Sequence, residues 1–216
     1  MHGNYLIYDA LYEEARQHGW HGWGGNSRIA SGPEQVQRIL QKPYVPHNGR
    51  VLELGCGEGH LCRLLAARGF DVIGVDVSKV AIDWAREKLS EFPVQYIHAD
   101  LSQPGVLEGK TFDLIVDGNC LHCILGADRV VFLNNVYRLL SHDGIFFVSS
   151  LCARDAESVT TQREGQAYRF VPSVEYLLQE LDQAQLAVVE WDVQERDGFH
   201  HIHVFAKKEA ATKPLA

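Results

Sequence analysis

Val51-Leu52-Glu53-Leu54-Gly55-Cys56-Gly57-Glu58-Gly59-His60 decides the fold of this chain. Its first four residues are a short, largely apolar run with a β-branched start, the length of a buried strand, and Leu61, Leu64 and Leu65 beyond it recur at helical spacing. The reading is strand, glycine loop, helix. A loop without side chains lets a ligand reach the backbone, and the first turn of the helix points its unpaired N–H groups at that ligand. Spacing argues against two common nucleotide loops. The dinucleotide fingerprint Gly-x-Gly-x-x-Gly needs glycine where His60 stands, and a phosphate loop needs a Lys-Ser/Thr pair that does not follow Gly59. Glu53, just before the loop, would repel pyrophosphate and attract an ammonium or a sulfonium.

Carboxylates recur at the ends of the strands that follow. Residues 70–75 read as a second strand delivering Asp76, about twenty residues past the loop, where it can accept from both hydroxyls of a ribose while Val77 lies against the base. Ser78 is better placed to cap the helix containing Ala81, Trp84 and Ala85. Residues 94–97 form a third strand before Asp100 and Leu101, and residues 111–117 a fourth that ends at Asp117 and runs into Gly118-Asn119-Cys120-Leu121-His122-Cys123. Val130, Leu133, Tyr137 and Leu140 mark an amphipathic helix, residues 145–150 a nearly continuous apolar strand, and Val174, Leu177, Leu178 and Leu181 a last helix. Residues 186–191 and 201–206 then read as an antiparallel pair.

The set Glu53, Gly55, Gly57 and Gly59 resembles the first motif of class I S-adenosylmethionine-dependent methyltransferases, an acidic residue followed by Gly-x-Gly-x-Gly. The strand ending at Asp117 and the Leu121-His122 pair resemble the family's fourth motif, with His122-Cys123 where the family often has His-His. The resemblance runs over about residues 50–207. It implies an α/β, Rossmann-like fold: a seven-stranded, mostly parallel sheet with a C-terminal antiparallel strand pair and helices on both faces. It also implies S-adenosyl-L-methionine as cofactor, held by Glu53, Gly55, Cys56, Gly57, Gly59, Asp76, Val77, Asp100, Leu101 and Asp117, with Asp100 and Leu101 at the adenine and Asp117 and Asn119 beside the sulfonium. In such an in-line displacement the protein aligns the acceptor and removes its proton, so Asn119 and His122 are the catalytic candidates, His122 as general base. A packing or capping role is the competing reading of His122.

Residues 1–49 precede the core at 50–208, and residues 209–216 form a tail. Tyr5, Tyr8, Tyr12 and Ala15 predict a first helix over residues 4–18 with an aromatic face, and Pro33 is expected near the first turn of a second helix holding Val36, Ile39 and Leu40. Between them, residues 19–26 place two tryptophans among four glycines and read as a lid. Trp20, His21 and Trp23 are its candidate substrate contacts, against the alternative of a hydrophobic plug. Residues 151–171 read as irregular and form a second candidate wall of the substrate pocket, with Cys152 and Tyr168; Cys120 is a further substrate candidate.

A chain of 216 residues with a formal net charge of -8 offers no broad electrostatic footprint for nucleic acid or an anionic membrane, so a small-molecule substrate is expected. With no apolar run of membrane-spanning length and no basic-then-apolar N-terminus, a cytoplasmic protein is expected. Five scattered cysteines read as reduced. Cys120, Cys123 and Cys152 open one alternative, methylation of a thiophilic metalloid or thiol held by soft sulfur. A non-catalytic, regulatory S-adenosylmethionine-binding protein is the alternative of another class. No metal site is expected, and the His200-His201-His203 cluster reads as half-exposed strand decoration. The accepting atom, oxygen, nitrogen or sulfur, and the oligomeric state are left open.

Overall fold

The computed structural model describes residues 5–23 and 25–209. Residue 4 of the expected first helix, Gly24 of the lid and residues 210–216 of the tail lie outside them. Strand β1 (Arg50–Leu54) leads through the glycine loop into α3 (His60–Ala66), followed by β2 (Asp71–Asp76), α4 (Lys79–Glu87), β3 (Val94–His98) and β4 (Phe112–Asp117). A 3-10 turn (Leu121–Cys123), α5 (Asp128–Leu139) and β5 (Leu140–Cys152) come next. The helices α1 (Ile7–Gln17) and α2 (Gly25–Leu40) precede this core, and β6 (Val159–Arg163), β7 (Gln166–Val171), α6 (Val174–Gln183), β8 (Leu186–Gln194) and β9 (His200–Lys208) complete it.

The expected sheet is present, in the order β3-β2-β1-β4-β5-β9-β8. Its first five strands are parallel, and β9 runs antiparallel to both β5 and β8. Helices cover both faces, which is why β1 reads as an apolar run rather than an alternation. Leu52 and Leu54 point into one core with Phe132 and Leu133 of α5 and Leu177 of α6, while Val51 points into the other with Ile39 of α2 and Leu65 of α3. From β1 the chain proceeds to β2 on one side and places β4 on the other. A crevice therefore opens at the carboxyl ends of β1 and β4, the place where open α/β sheets hold ligands.

Three expectations are corrected. Helix α2 starts at Gly25 and carries Pro33 in its interior rather than near its first turn. Pro33 has no N–H for the Ile29 carbonyl, and His60 supplies the missing donor, its Nε2 giving a hydrogen bond of 2.9 Å to that oxygen. Gly32 makes room for the ring, since an added Cβ would collide with it. Residues 159–171, expected to be irregular, form the β6–β7 hairpin, whose turn residues Glu164 and Gly165 have φ of 52° and 77°. Such turns need positive φ at both positions, and glutamate in the first disguises the signal. On α5, Val130 faces solvent while Phe132, Leu133, Val136 and Leu139 pack inward; Leu140 already begins β5.

Candidate functional site

The glycine loop turns out of β1 with Gly55, Gly57 and Gly59 at φ of 64°, 56° and 75°. Asp76, at the end of β2, ties this loop to the next. Its Oδ2 accepts the Gly57 N–H at 2.8 Å and its Oδ1 accepts the Ser78 N–H at 2.8 Å, and Ser78 caps α4 as expected by accepting from Ala81 N. Asp76 and Val77 face a narrow cavity of about 50 Å³, together with Gly55, Asp100, Leu101 and Cys120. Asp100 is held by Ser102, whose N–H and hydroxyl donate to Oδ1 at 2.8 and 2.6 Å.

The roof of this cavity is α1 and the turn that leads into it. Tyr5, Tyr8 and Tyr12 all line it, and the Tyr12 hydroxyl hangs so close above Gly57 that an added Cβ would stand 2.6 Å from it. Polar ties fasten the helix. Asp9 accepts from the Ser78 hydroxyl at 2.6 Å and from Val80 N at 3.2 Å, and the Tyr5 hydroxyl donates to Asp128 at 2.8 Å. The aromatic spacing on α1 is visible in the sequence, but its placement over the glycine loop is not.

Glu53 and Cys56 open onto a second hollow under Trp23, shared with Gly57 and Gly118. Glu58 there is neutralised by Arg63 and Lys88, both at 2.7 Å. Among the described residues, no lysine or arginine lines this hollow or the cavity under α1. That lining suits a nucleoside and a cationic group better than a phosphate.

Beyond Asn119 lies a larger cleft of about 520 Å³. Asn119, at φ 69°, borders both this cleft and the roofed cavity, and Trp23 borders all three spaces. His122 lies on the cleft wall, where its Nδ1 accepts the Leu151 N–H at 3.3 Å and sits 3.2 Å from the Ser150 hydroxyl. A ring nitrogen that accepts from a backbone N–H carries no hydrogen itself, so the neutral imidazole is protonated at Nε2.

The remaining candidates fall elsewhere. Asp117 lines none of the three spaces: its Oδ1 accepts from Cys120 N at 2.6 Å and Leu121 N at 3.1 Å, which shapes the turn that carries Asn119 and His122. Burial pushes its carboxyl up to about 7, against the lowering effect of those N–H groups. Gly59 serves as the N-cap of α3. Trp20 is exposed and packs at a tilt against His18, while His21 is exposed and offers its carbonyl to Lys88. Tyr168 packs beside Tyr8, with ring centroids 6.0 Å apart.

The cysteines do not gather. Cys120 and Cys123 line the roofed cavity, whereas Cys152 is wholly buried in the core. Burial holds the Cys120 thiol well above its usual range and pushes Cys152 up to about 11, so neither is a thiolate at neutral pH. No group of three His, Cys, Asp or Glu among the described residues could hold a metal ion. His201 and His203 prove buried rather than half-exposed, and both line the cleft, with His201 Nε2 2.9 Å from the Ser149 hydroxyl. Other cleft residues missed by sequence reasoning, among them Gln35 and Arg38 of α2, Arg169 of β7 and Arg196 beyond β8, come from three distant parts of the chain and leave no local signal.

The sequence pattern of the methyltransferase domain matches residues 52–148. C750.03c of Schizosaccharomyces pombe, an uncharacterized methyltransferase, is 31% identical over 100 residues, 45% of this chain and 68% of that protein. The chain belongs to the methyltransferase-domain family. Another relative of this methyltransferase-domain chain, the ubiquinone biosynthesis O-methyltransferase of Bartonella tribocorum, is 30% identical over 105 residues, 48% of this chain and 42% of that one. The chain spans about half the length of curated relatives such as this one and YqeM of Bacillus subtilis, of which it covers 50%. In fold, it is similar to the 1,6-didemethyltoxoflavin-N1-methyltransferase of Burkholderia thailandensis, at a TM-score of 0.73, 20% identity, and coverage of 94% of this chain and 86% of that one. A TehB-like methyltransferase from Corynebacterium glutamicum gives a TM-score of 0.65 at 21% identity, covering 93% and 99%.

Proposed function

We propose that this chain transfers a methyl group from S-adenosyl-L-methionine to an oxygen, nitrogen or sulfur atom of a small molecule. One observation carries the reading: a cavity edged by strand-end carboxylates and a separate, larger cleft meet at Asn119 and Trp23. A regulator that only sensed the cofactor would need the first space alone, whereas group transfer between two molecules needs both and a point where they touch. When bound, the donor supplies a carbon made electrophilic by its sulfonium.

The residues present fit that group. Asp76 would accept from the ribose hydroxyls, Asp100 with Leu101 would meet the adenine and Glu53 would attract the ammonium, and among the described residues no arginine or lysine lines the roofed cavity or the hollow under Trp23. Asn119 stands where acceptor and donor meet. For His122, the protonated Nε2 supports the role of a hydrogen-bond donor that orients the acceptor rather than that of the expected general base. Among the described residues, no helix is long and apolar enough to cross a membrane.

Calorimetry with S-adenosylmethionine and S-adenosylhomocysteine, followed by mass spectrometry of acceptor panels, tests the proposal. Binding of both and one methylated product are expected, and Asp76→Ala should weaken cofactor affinity at least about ten-fold through lost charge-assisted hydrogen bonds. Absence of heat with either compound, or cofactor binding with no product across oxygen, nitrogen and sulfur acceptors, would overturn it.

A further inference from the structure

We propose that the cleft recognises an oxyanion, a carboxylate or phosphate group on the methyl acceptor, through Arg169. This deepens the proposed methyl transfer and rests on it.

The chain as a whole is acidic, at a formal net charge of -8, yet the cleft is lined by three arginines and one glutamate. Two of the arginines have partners of their own. Arg38 lies 3.5 Å from Asp192, which also holds His203 at 3.3 Å, and Glu34 sits one turn away on the same helix. Arg196 donates to the side chain of Gln194 at 2.9 Å. Arg169 differs from both. Its guanidinium lies over two aromatic faces, 4.5 Å from the Tyr168 ring centroid and 5.5 Å from that of Trp23. Its Nε is buried without a hydrogen-bond partner among the described residues, and no carboxylate there forms an ion pair with it.

Burying a cation's N–H without an acceptor is costly, and stacking on aromatic rings offsets only part of that cost. The stacking also fixes the plane of the guanidinium, which leaves a preorganised fork of donors matched to the paired oxygens of a carboxylate or phosphate. Position supports the assignment as well. Trp23, which carries Arg169, borders the cofactor spaces as well as the cleft, so an anion held there sits one aromatic ring from the junction at Asn119. The rest of the acceptor would extend past His122, whose imidazole brings no competing negative charge.

The test uses the full chain saturated with S-adenosylhomocysteine and compares benzoate with benzamide, and phenyl phosphate with phenol, by thermal shift and calorimetry. At least one anion should bind about ten-fold more tightly than its neutral counterpart; which of the two does so identifies the oxyanion. Arg169→Gln should abolish that discrimination while keeping wild-type affinity for S-adenosylhomocysteine, and Arg169→Lys should restore part of it. Equal binding of charged and neutral partners to the wild type, or discrimination that survives Arg169→Gln, would overturn the inference. Should Arg169→Gln fail to fold, the wild-type comparison decides alone. Failure of the wild type to bind S-adenosylhomocysteine at all would instead refute the proposed methyl transfer, so the two readings fail separately.

Discussion

Asp117 shows how a residue picked out by motif can serve a site without lining it. Its carboxyl holds the turn that presents Asn119 and His122, and burial raises it to about 7. The native protein therefore binds a proton between about pH 4 and 7 that the unfolded chain has released, so stability is greatest below that window and falls as pH rises through about 7. Asp117→Asn keeps an oxygen for the two N–H groups and cannot ionise; its melting temperature should lose the wild type's decline between pH 5 and 8, measured by calorimetry across that range. At this scale the strand-end acids were legible because strand period and turn chemistry locate them locally. Arg169 was not, because its significance depends on Trp23, a residue that only the folded chain brings beneath it.

Among the elements, α2 was misread for a definite reason. Proline inside a helix usually marks a start because it cannot donate, and the sequence around Pro33 gives no hint that His60, on another helix, supplies the donor. His60→Ala would leave the Ile29 carbonyl without that partner and a void beside Gly32. It should lower stability by about 1–3 kcal/mol, read from the urea unfolding midpoint. An unchanged midpoint would mean that water serves the carbonyl equally well. The β6–β7 hairpin was hidden by a similar local exception at Glu164. By contrast, β1, β2, β4 and β5 were legible because strands buried on both faces write themselves as apolar runs.

In the molecule as a whole, two helices that cover the same face of the sheet are joined to each other and to the site by a buried ion pair. Arg129 of α5 meets Glu180 of α6 through two hydrogen bonds of 2.7 and 2.6 Å, and its Nη1 donates to the carbonyls of Leu121 and Ile124. Glu180→Gln should cost about 3–5 kcal/mol in chemical denaturation, since it strands a buried cation. Loosening of the adjacent turn should also blunt turnover more than cofactor binding. The parallel sheet and its switch point were readable from element order alone; this cross-strut was not, since its partners are distant in sequence. The roof helix α1, fastened through Asp9 and Tyr5, has a further kinetic meaning in the proposed reaction. A spent nucleoside beneath three tyrosines would leave past those fastenings, so weakening them, as by Asp9→Asn, is expected to quicken product release, read as a faster off-rate of S-adenosylhomocysteine.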